Sequence, residues 1–293
     1  MSSDKKDKKK DKKEDGKIEI PIKETECAFG IEDSGVCFTP DVTKKLVEMS
    51  EKKGIKGNKP EEIIEKLAES VGCDSQSCLA ANGEIIKAIG HDKMLKQLEE
   101  RFKPEGPYDS YAWFSNVNID NVLKQVSDAY KDKKFLHIPF GMSDFEKTNT
   151  SAATYDFVKE YNNGMRCFGV VFNTDISSRG GQHWFSVFGD FSKKPFTIEY
   201  FNSAGTAPLP SISKWMKETA AYITKTLGEC KDIVVTDIVN QQDNHSCGSY
   251  SLFYIISRLE GEPYETFKHT KIGDELMHNF RKLYLFRRHK DKK

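Results

Sequence analysis

The chain has no run of 18 apolar residues and no charged, apolar and small-residue leader at its start, so it is expected to be soluble, with no membrane insertion. It also lacks net charge: 45 Lys and Arg residues balance 45 Asp and Glu residues, which excludes a chain-wide field for a polyanion. There is no internal repeat. Cysteine is sparse and odd in number, at 27, 37, 73, 78, 167, 230 and 247, which does not form a secreted disulfide framework and points to a reducing compartment. Two cysteines five residues apart, Cys73 and Cys78, have no second Cys/His pair after them at zinc spacing. A loop or helix cap with two ordinary thiols is expected, and no metal.

The charge that is present is uneven. Residues 1–17 hold eight lysines and five acids and are too polar to bury a core, so they are expected to be a disordered, Lys-rich tail. Such a tail is either solubilising or a weak polyanion contact. From 18 to 110 the reading is a helical accessory region. Pro40 opens one helix with Val42, Leu46 and Met49 at helical spacing. Pro60 opens a second with Ile63, Ile64, Leu67 and Val71, and a third puts Met94, Leu95, Leu98 and Phe102 on one face before Pro104. These apolar faces are expected to dock on the body of the protein, and Pro104 to Pro107 reads as a hinge or boundary.

Residues 111–293 read as an α+β body, a central sheet flanked by helices. Asn118 is expected to cap a helix with Val122, Leu123, Val126 and Tyr130 on one side. Short β-rich runs follow at 135–138, 167–173, 183–188, 195–201 and 232–238, with a long helix over 211–227 that turns Ile212, Trp215, Met216, Ile223 and Leu227 inward.

Three residues in this body fit nucleophilic catalysis. Cys247 starts a helix whose Leu252, Ile255, Ile256 and Leu259 form a buried face. Unpaired N–H groups and the positive end of the helix dipole favour a thiolate there. Gly248 is expected to let a substrate approach the sulfur. His183 opens a strand at a sheet edge, just after a Gly-Gly turn. Asn202 ends the next strand. If the two strands form a hairpin, Asn202 lies at the same end as His183 and can hold its ring in one tautomer. The order His, Asn, Cys then supplies base, orienter and nucleophile. Gln241 could donate to an oxyanion, with Gln242 and Asn244 close enough in sequence to compete. Taken singly, a buried cysteine, a structural histidine beside Trp184 and an Asx-turn asparagine are ordinary residues.

The blocks Gly180-Gly181-Gln182-His183-Trp184, Ile198-Glu199-Tyr200-Phe201-Asn202-Ser203 and Gln241 through Tyr254 resemble the polyprotein-processing cysteine proteases of the African swine fever virus type. More broadly they resemble the adenovirus-protease and ubiquitin-like-protease clan. Gly72 to Cys78, Asn118 to Asp120 and Pro139 to Phe145 are also similar, so the likeness runs from about residue 72 to the end. It implies an Ulp/adenain-like core with His183, Asn202 and Cys247 as the catalytic triad, Gln241 as oxyanion donor, and no cofactor. Asn202, where cellular members usually carry Asp, points to the viral branch.

The expected activity is therefore that of a viral cysteine endopeptidase that cleaves structural polyproteins after Gly-Gly or Gly-Gly-Xaa during virion maturation, in the virion and at assembly sites in the host cytoplasm. Trp184, by likeness to the family, would roof a tunnel that admits glycine. The alternatives are a ubiquitin- or SUMO-like isopeptidase, and a non-catalytic nucleic-acid-binding virion protein on a protease scaffold.

Overall fold

The computed structural model describes residues 25–31, 35–107, 111–235 and 237–287. The Lys-rich tail over 1–17 lies outside the described residues.

Five helices come first: α1 (Pro40–Lys52), α2 (Pro60–Ser70), α3 (Gln76–Ala81), α4 (Gly83–Ile89) and α5 (His91–Glu100). Prolines open α1 and α2, where a missing N–H costs nothing. α3 and α4 were not anticipated. They are too short for a periodic signal and are set by side-chain caps, Ser75 accepting from Cys78 N and Asn82 from Glu84 N and Ile85 N. The apolar faces bury chiefly against one another, with Val42, Leu46, Ile64, Leu67, Leu79, Ile85, Met94 and Phe102 in a core of their own. Leu95, expected on the inward face of α5, is exposed, and Gln97 takes the inward place because its amide oxygen accepts from Thr39 N. Contact with the rest of the chain includes polar links: Gln125 Nε2 donates to Phe102 O at 2.7 Å, and Arg287 N donates to Pro104 O.

The cysteines of this region overturn the expectation of free thiols. Cys27 pairs with Cys37, and Cys73 with Cys78. Only the fold brings Cys27 to Cys37: Cys27 bridges to Phe102, while Arg101 Nε donates to Cys37 O. The Cys73–Cys78 link spans the turn between α2 and α3.

The second part runs α6 (Asn116–Ala129), β1 (Phe135–His137), α7 (Phe145–Thr148), α8 (Phe157–Asn162), β2 (Cys167–Asn173), β3 (Trp184–Asp190), β4 (Phe196–Phe201), α9 (Pro210–Thr226), β5 (Cys230–Val234), α10 (Cys247–Glu260), α11 (Tyr264–His269) and α12 (Asp274–Phe280). Ser115, not Asn118, caps α6; the two form a reciprocal capping box. β5 starts and ends earlier than the expected 232–238 run, because its register with β4 pairs Phe196 with Cys230 and Tyr200 with Val234.

The sheet has strand order β1-β2-β3-β4-β5, with β1 and β5 parallel to their neighbours and the β2–β3–β4 meander antiparallel. This is an α+β fold with a mixed sheet. β2, β3 and β4 are buried along nearly their whole length, since helices cover both faces. Period 2 then sorts their side chains. Val171, Trp184, Phe188 and Phe201 face α6, α10 and α12, whereas Phe168, Val170, Phe172, Phe185, Val187, Ile198 and Tyr200 face α7 to α9. β3 is thus the middle strand, not the sheet edge expected for it.

α10 is tied to this sheet by an ion pair inside the protein. Arg258 Nε and Nη2 donate to the two oxygens of Glu199 at 2.7 and 2.9 Å, and Tyr254 Oη and Thr197 Oγ1 donate to the same carboxylate at 2.6 Å each. Glu199 is wholly buried. The pair locks the register of α10 on β4, and Asn202 follows directly on that strand.

Candidate active site

The β3–β4 hairpin pairs Ser186 with Phe201, which puts the residue before β3 and the residue after β4 at one end of the sheet. His183 Nε2 there lies 2.7 Å from Asn202 Oδ1. The amide of Asn202 can be oriented from its neighbours. Its Oδ1 accepts from the backbone N–H of Ala204 at 2.9 Å, and its Nδ2 donates to Tyr200 Oη and Thr206 Oγ1 at 2.9 and 2.8 Å. A backbone N–H can only donate, so the atom facing His183 is oxygen and Nε2 must carry the proton. In the neutral ring Nδ1 is then a free acceptor.

The loop ahead of His183 is held by Asn173 at the end of β2, whose Oδ1 accepts from Asp175 N and Gln182 N. Gly181 packs against that amide with φ +88°. A Cβ would meet Asn173 Nδ2 at 2.9 Å, so this position of the Gly-Gly turn requires glycine.

Cys247 is the first residue of α10 and is buried. It packs in the same core cluster as Trp184, the residue after His183. Burial is the largest influence on this thiol and pushes its pKa up, with the backbone N–H groups of Trp184, Gly248 and Cys247 opposing it. His183 moves the other way, its pKa lowered by burial against the opposing bond to Asn202. Burial thus disfavours the charged form of both groups. Desolvation of the sulfur opposes the thiolate expected from the helix start, while the backbone N–H groups favour it.

The other free thiols are elsewhere. Cys167 opens β2 opposite Asp190, while Asn173 opposite Trp184 is six residues on, roughly 20 Å at strand rise. Burial pushes the thiols of Cys167 and Cys230 up to about 12.

Of the candidate oxyanion donors, Gln241 is partly buried and Gln242 and Asn244 are exposed. Gln241 is doubly held, its Oε1 accepting from Ser203 Oγ at 2.8 Å and its Nε2 donating to Asp243 Oδ1 at 3.2 Å. The Gln242 side chain folds back on Gln241 O, and Asn244 Oδ1 lies 3.4 Å from His245 Nδ1.

Trp184 is both core and wall. Its ring is nearly buried, Nε1 donates to Phe114 O at 3.0 Å, and it borders a cleft of about 650 Å³ with Phe114, Phe140, Met142 and Arg179. Asp120 sets the cleft's other side by accepting from Phe140 N at 2.9 Å. Sequence reasoning missed Phe114. A Cβ on Gly248 would meet the Phe114 ring at 2.6 Å, so Gly248 makes room for Phe114. The adjacent aromatics Trp113 and Phe114 just before the α6 cap were the available signal.

No family model matches the chain. It is 35% identical over 285 residues to the SUMO-1 cysteine protease of African swine fever virus (a Kenyan pig isolate), covering 92% of this chain and 97% of that protein. The cysteine protease of a Vero-adapted strain of the same virus is 34% identical with the same coverage. The crystal structure of an African swine fever virus protease superposes with a TM-score of 0.77 at 34% identity, over 92% of this chain and 97% of that one. The likeness therefore extends upstream of residue 72, into the accessory helices.

Proposed function

Since the chain belongs to the family of the African swine fever virus cysteine proteases, and is itself a cysteine protease, we propose that Cys247, His183 and Asn202 are its catalytic triad and that it matures viral structural polyproteins by cutting after Gly-Gly or Gly-Gly-Xaa. The single observation that carries the triad is the His183 Nε2–Asn202 Oδ1 pair at the end of the β3–β4 hairpin, beside the core cluster that holds both Trp184 and Cys247 at the start of α10.

In the reaction, Cys247 Sγ forms a bond to the scissile carbonyl carbon as its proton passes to His183 Nδ1. The N–H groups of Cys247 and Gly248, with Gln241 Nε2 once released from Asp243, face the oxyanion. Collapse breaks the C–N bond, and Nδ1 returns the proton to the leaving amine. Water, deprotonated by the same nitrogen, then hydrolyses the thioester.

Glycine selectivity is assigned to the Trp184 side of the cleft. The indole is fixed through Phe114 O and meets Phe140 edge-on at 6.2 Å between ring centres, so this wall yields little to a Cβ. Crowding of that kind costs about 1–3 kcal/mol. A peptide library scanned before the scissile bond, with wild type and Trp184→Ala, tests the assignment. Glycine should be preferred by about 5- to 150-fold in wild type and less in the variant. Equal cleavage of Ala-Ala and Gly-Gly peptides by wild type would sink it. A ubiquitin-like conjugate run in parallel tests the isopeptidase reading; its cleavage, with the polyprotein left intact, would replace the polyprotein as substrate. Virion and assembly-site localisation, and a weak polyanion contact through the tail, belong to the same proposal.

A further inference from the structure

Beside the catalytic loop, three ligating atoms converge that the proposed reaction does not use. His245 Nε2 and His278 Nε2 lie 3.1 Å apart, and Asp243 Oδ2 is 3.2 Å from the first and 3.0 Å from the second. These are the sides of a nearly equilateral triangle. A tetrahedral zinc site with bonds of about 2.0–2.1 Å separates its ligand atoms by roughly 3.3 Å, so an ion slightly out of the triangle's plane reaches all three with tenths of an ångström of movement.

The surroundings support such an ion. Asp243 Oδ1 is turned away and held by His245 N, Ser246 N and Gln241 Nε2, leaving Oδ2 toward the histidines with Ser246 Oγ as its other partner at 2.5 Å. His245 Nδ1 lies 3.4 Å from Asn244 Oδ1, the kind of outer partner that fixes a ligating ring's tautomer. The two rings stack within 13° of parallel. The His278 side chain is 30% exposed, which gives entry, and the Tyr111 ring meets both imidazoles edge-on. Asp243 Oδ2 lies within hydrogen-bond distance of both rings, so all three atoms already face one point.

We propose that Asp243, His245 and His278 form a site for one divalent transition-metal cation of the zinc class, clamping α12 to the loop that carries Gln241 and Cys247. It supplies no step of the reaction: a cation there takes Oδ2 of Asp243 and leaves the Oδ1 contact of Gln241 Nε2 able to break. The donor set, two imidazoles and one carboxylate, suits zinc or cobalt(II) and not calcium or magnesium.

The test uses untagged, chelator-stripped Cys247→Ala protein, so that neither turnover nor the catalytic thiol contributes and failure of the proposed catalysis cannot mimic failure of the site. Titration with Co²⁺ should give one ion per chain, with the visible bands of a four-coordinate centre and displacement by Zn²⁺. Zn²⁺ should raise Tm by mass action. In His278→Gln and His245→Gln, each made in the same background, affinity should fall by at least about tenfold and the Tm rise should disappear. Anomalous scattering at the zinc edge from soaked crystals, which needs no variant, should peak between the two Nε2 atoms. Affinity unchanged in both variants, loss of binding in His183→Ala, many weak sites without a defined stoichiometry, or an anomalous peak elsewhere would each overturn the site.

Discussion

His183 Nε2 lies 2.7 Å from Asn202 Oδ1, and the Ala204 N–H on that same oxygen leaves the histidine as donor. The consequence is a base at Nδ1 whose orientation depends on one buried amide. Asn202→Ala should lower kcat by about 10²–10⁴-fold, the usual worth of a positioned acid–base group, with folding retained by circular dichroism. Asn202→Asp should keep much of the activity, because Tyr200 and Thr206 can turn their hydroxyls to donate. A carboxylate there favours the imidazolium and raises the His183 pKa, so the acid limb of the kcat/KM–pH profile should move to higher pH. Unchanged activity in Asn202→Ala would remove this residue from the triad.

The pH dependence of stability follows from the same histidine. Its folded pKa is lowered by burial, so the unfolded chain binds the proton more readily. The stability it permits is complete above the unfolded value of about 6.5 and is lost as pH falls from there toward the folded pKa. Urea midpoints taken from pH 8 to pH 5 should decline less steeply for His183→Gln than for wild type. Parallel declines would show that His183 is not held neutral.

Limiting iodoacetamide should label Cys247 before Cys167 and Cys230, whose thiols burial pushes up to about 12. Because burial also raises the Cys247 pKa, its labelling rate should climb with pH above neutrality. Mass spectrometry after proteolysis reads both results, and a rate flat from pH 6 upward would mean a resting thiolate.

Arg258 and Glu199 connect the helix of Cys247 to the strand of Asn202. Arg258→Ala leaves a wholly buried carboxylate facing two hydroxyls and should destabilise by about 3–5 kcal/mol in denaturant unfolding. Arg258→Lys should recover little, since an ammonium cannot reproduce the two-pronged contact. A loss below about 1 kcal/mol, within the range of a surface pair, would show that this pair does not anchor α10.

Denatured without reductant, the chain should titrate three thiols, those of Cys167, Cys230 and Cys247. Loss of the Cys27–Cys37 link through Cys37→Ser should cost about 2–3 kcal/mol from loop entropy. Seven titratable thiols would restore the reduced reading of the accessory region.

The amino-acid sequence by itself determined what depends on neighbours a few residues away. Period 2 over β2 to β4, helical period over α9 and α10, the prolines opening α1 and α2, and the order His183, Asn202, Cys247 are local patterns, visible without a partner strand or helix. Those patterns also implied the hairpin that brings His183 to Asn202, because consecutive antiparallel strands share an end. Everything that required distant segments to meet was left to the tertiary structure. Leu95 looked inward by spacing, yet the amide of Gln97, bound to Thr39 N, takes that place. Cys27 and Cys37 became a pair when Cys27 was carried to Phe102. Gly248 serves Phe114, a residue 134 positions earlier in the chain. The ionisation of Cys247 turned on how deeply the fold buries its sulfur, and His278 reached His245 only when α12 packed beside the catalytic loop. Short-range periodicity is written into covalent order, whereas burial and convergence arise from the one packing that satisfies all the elements together.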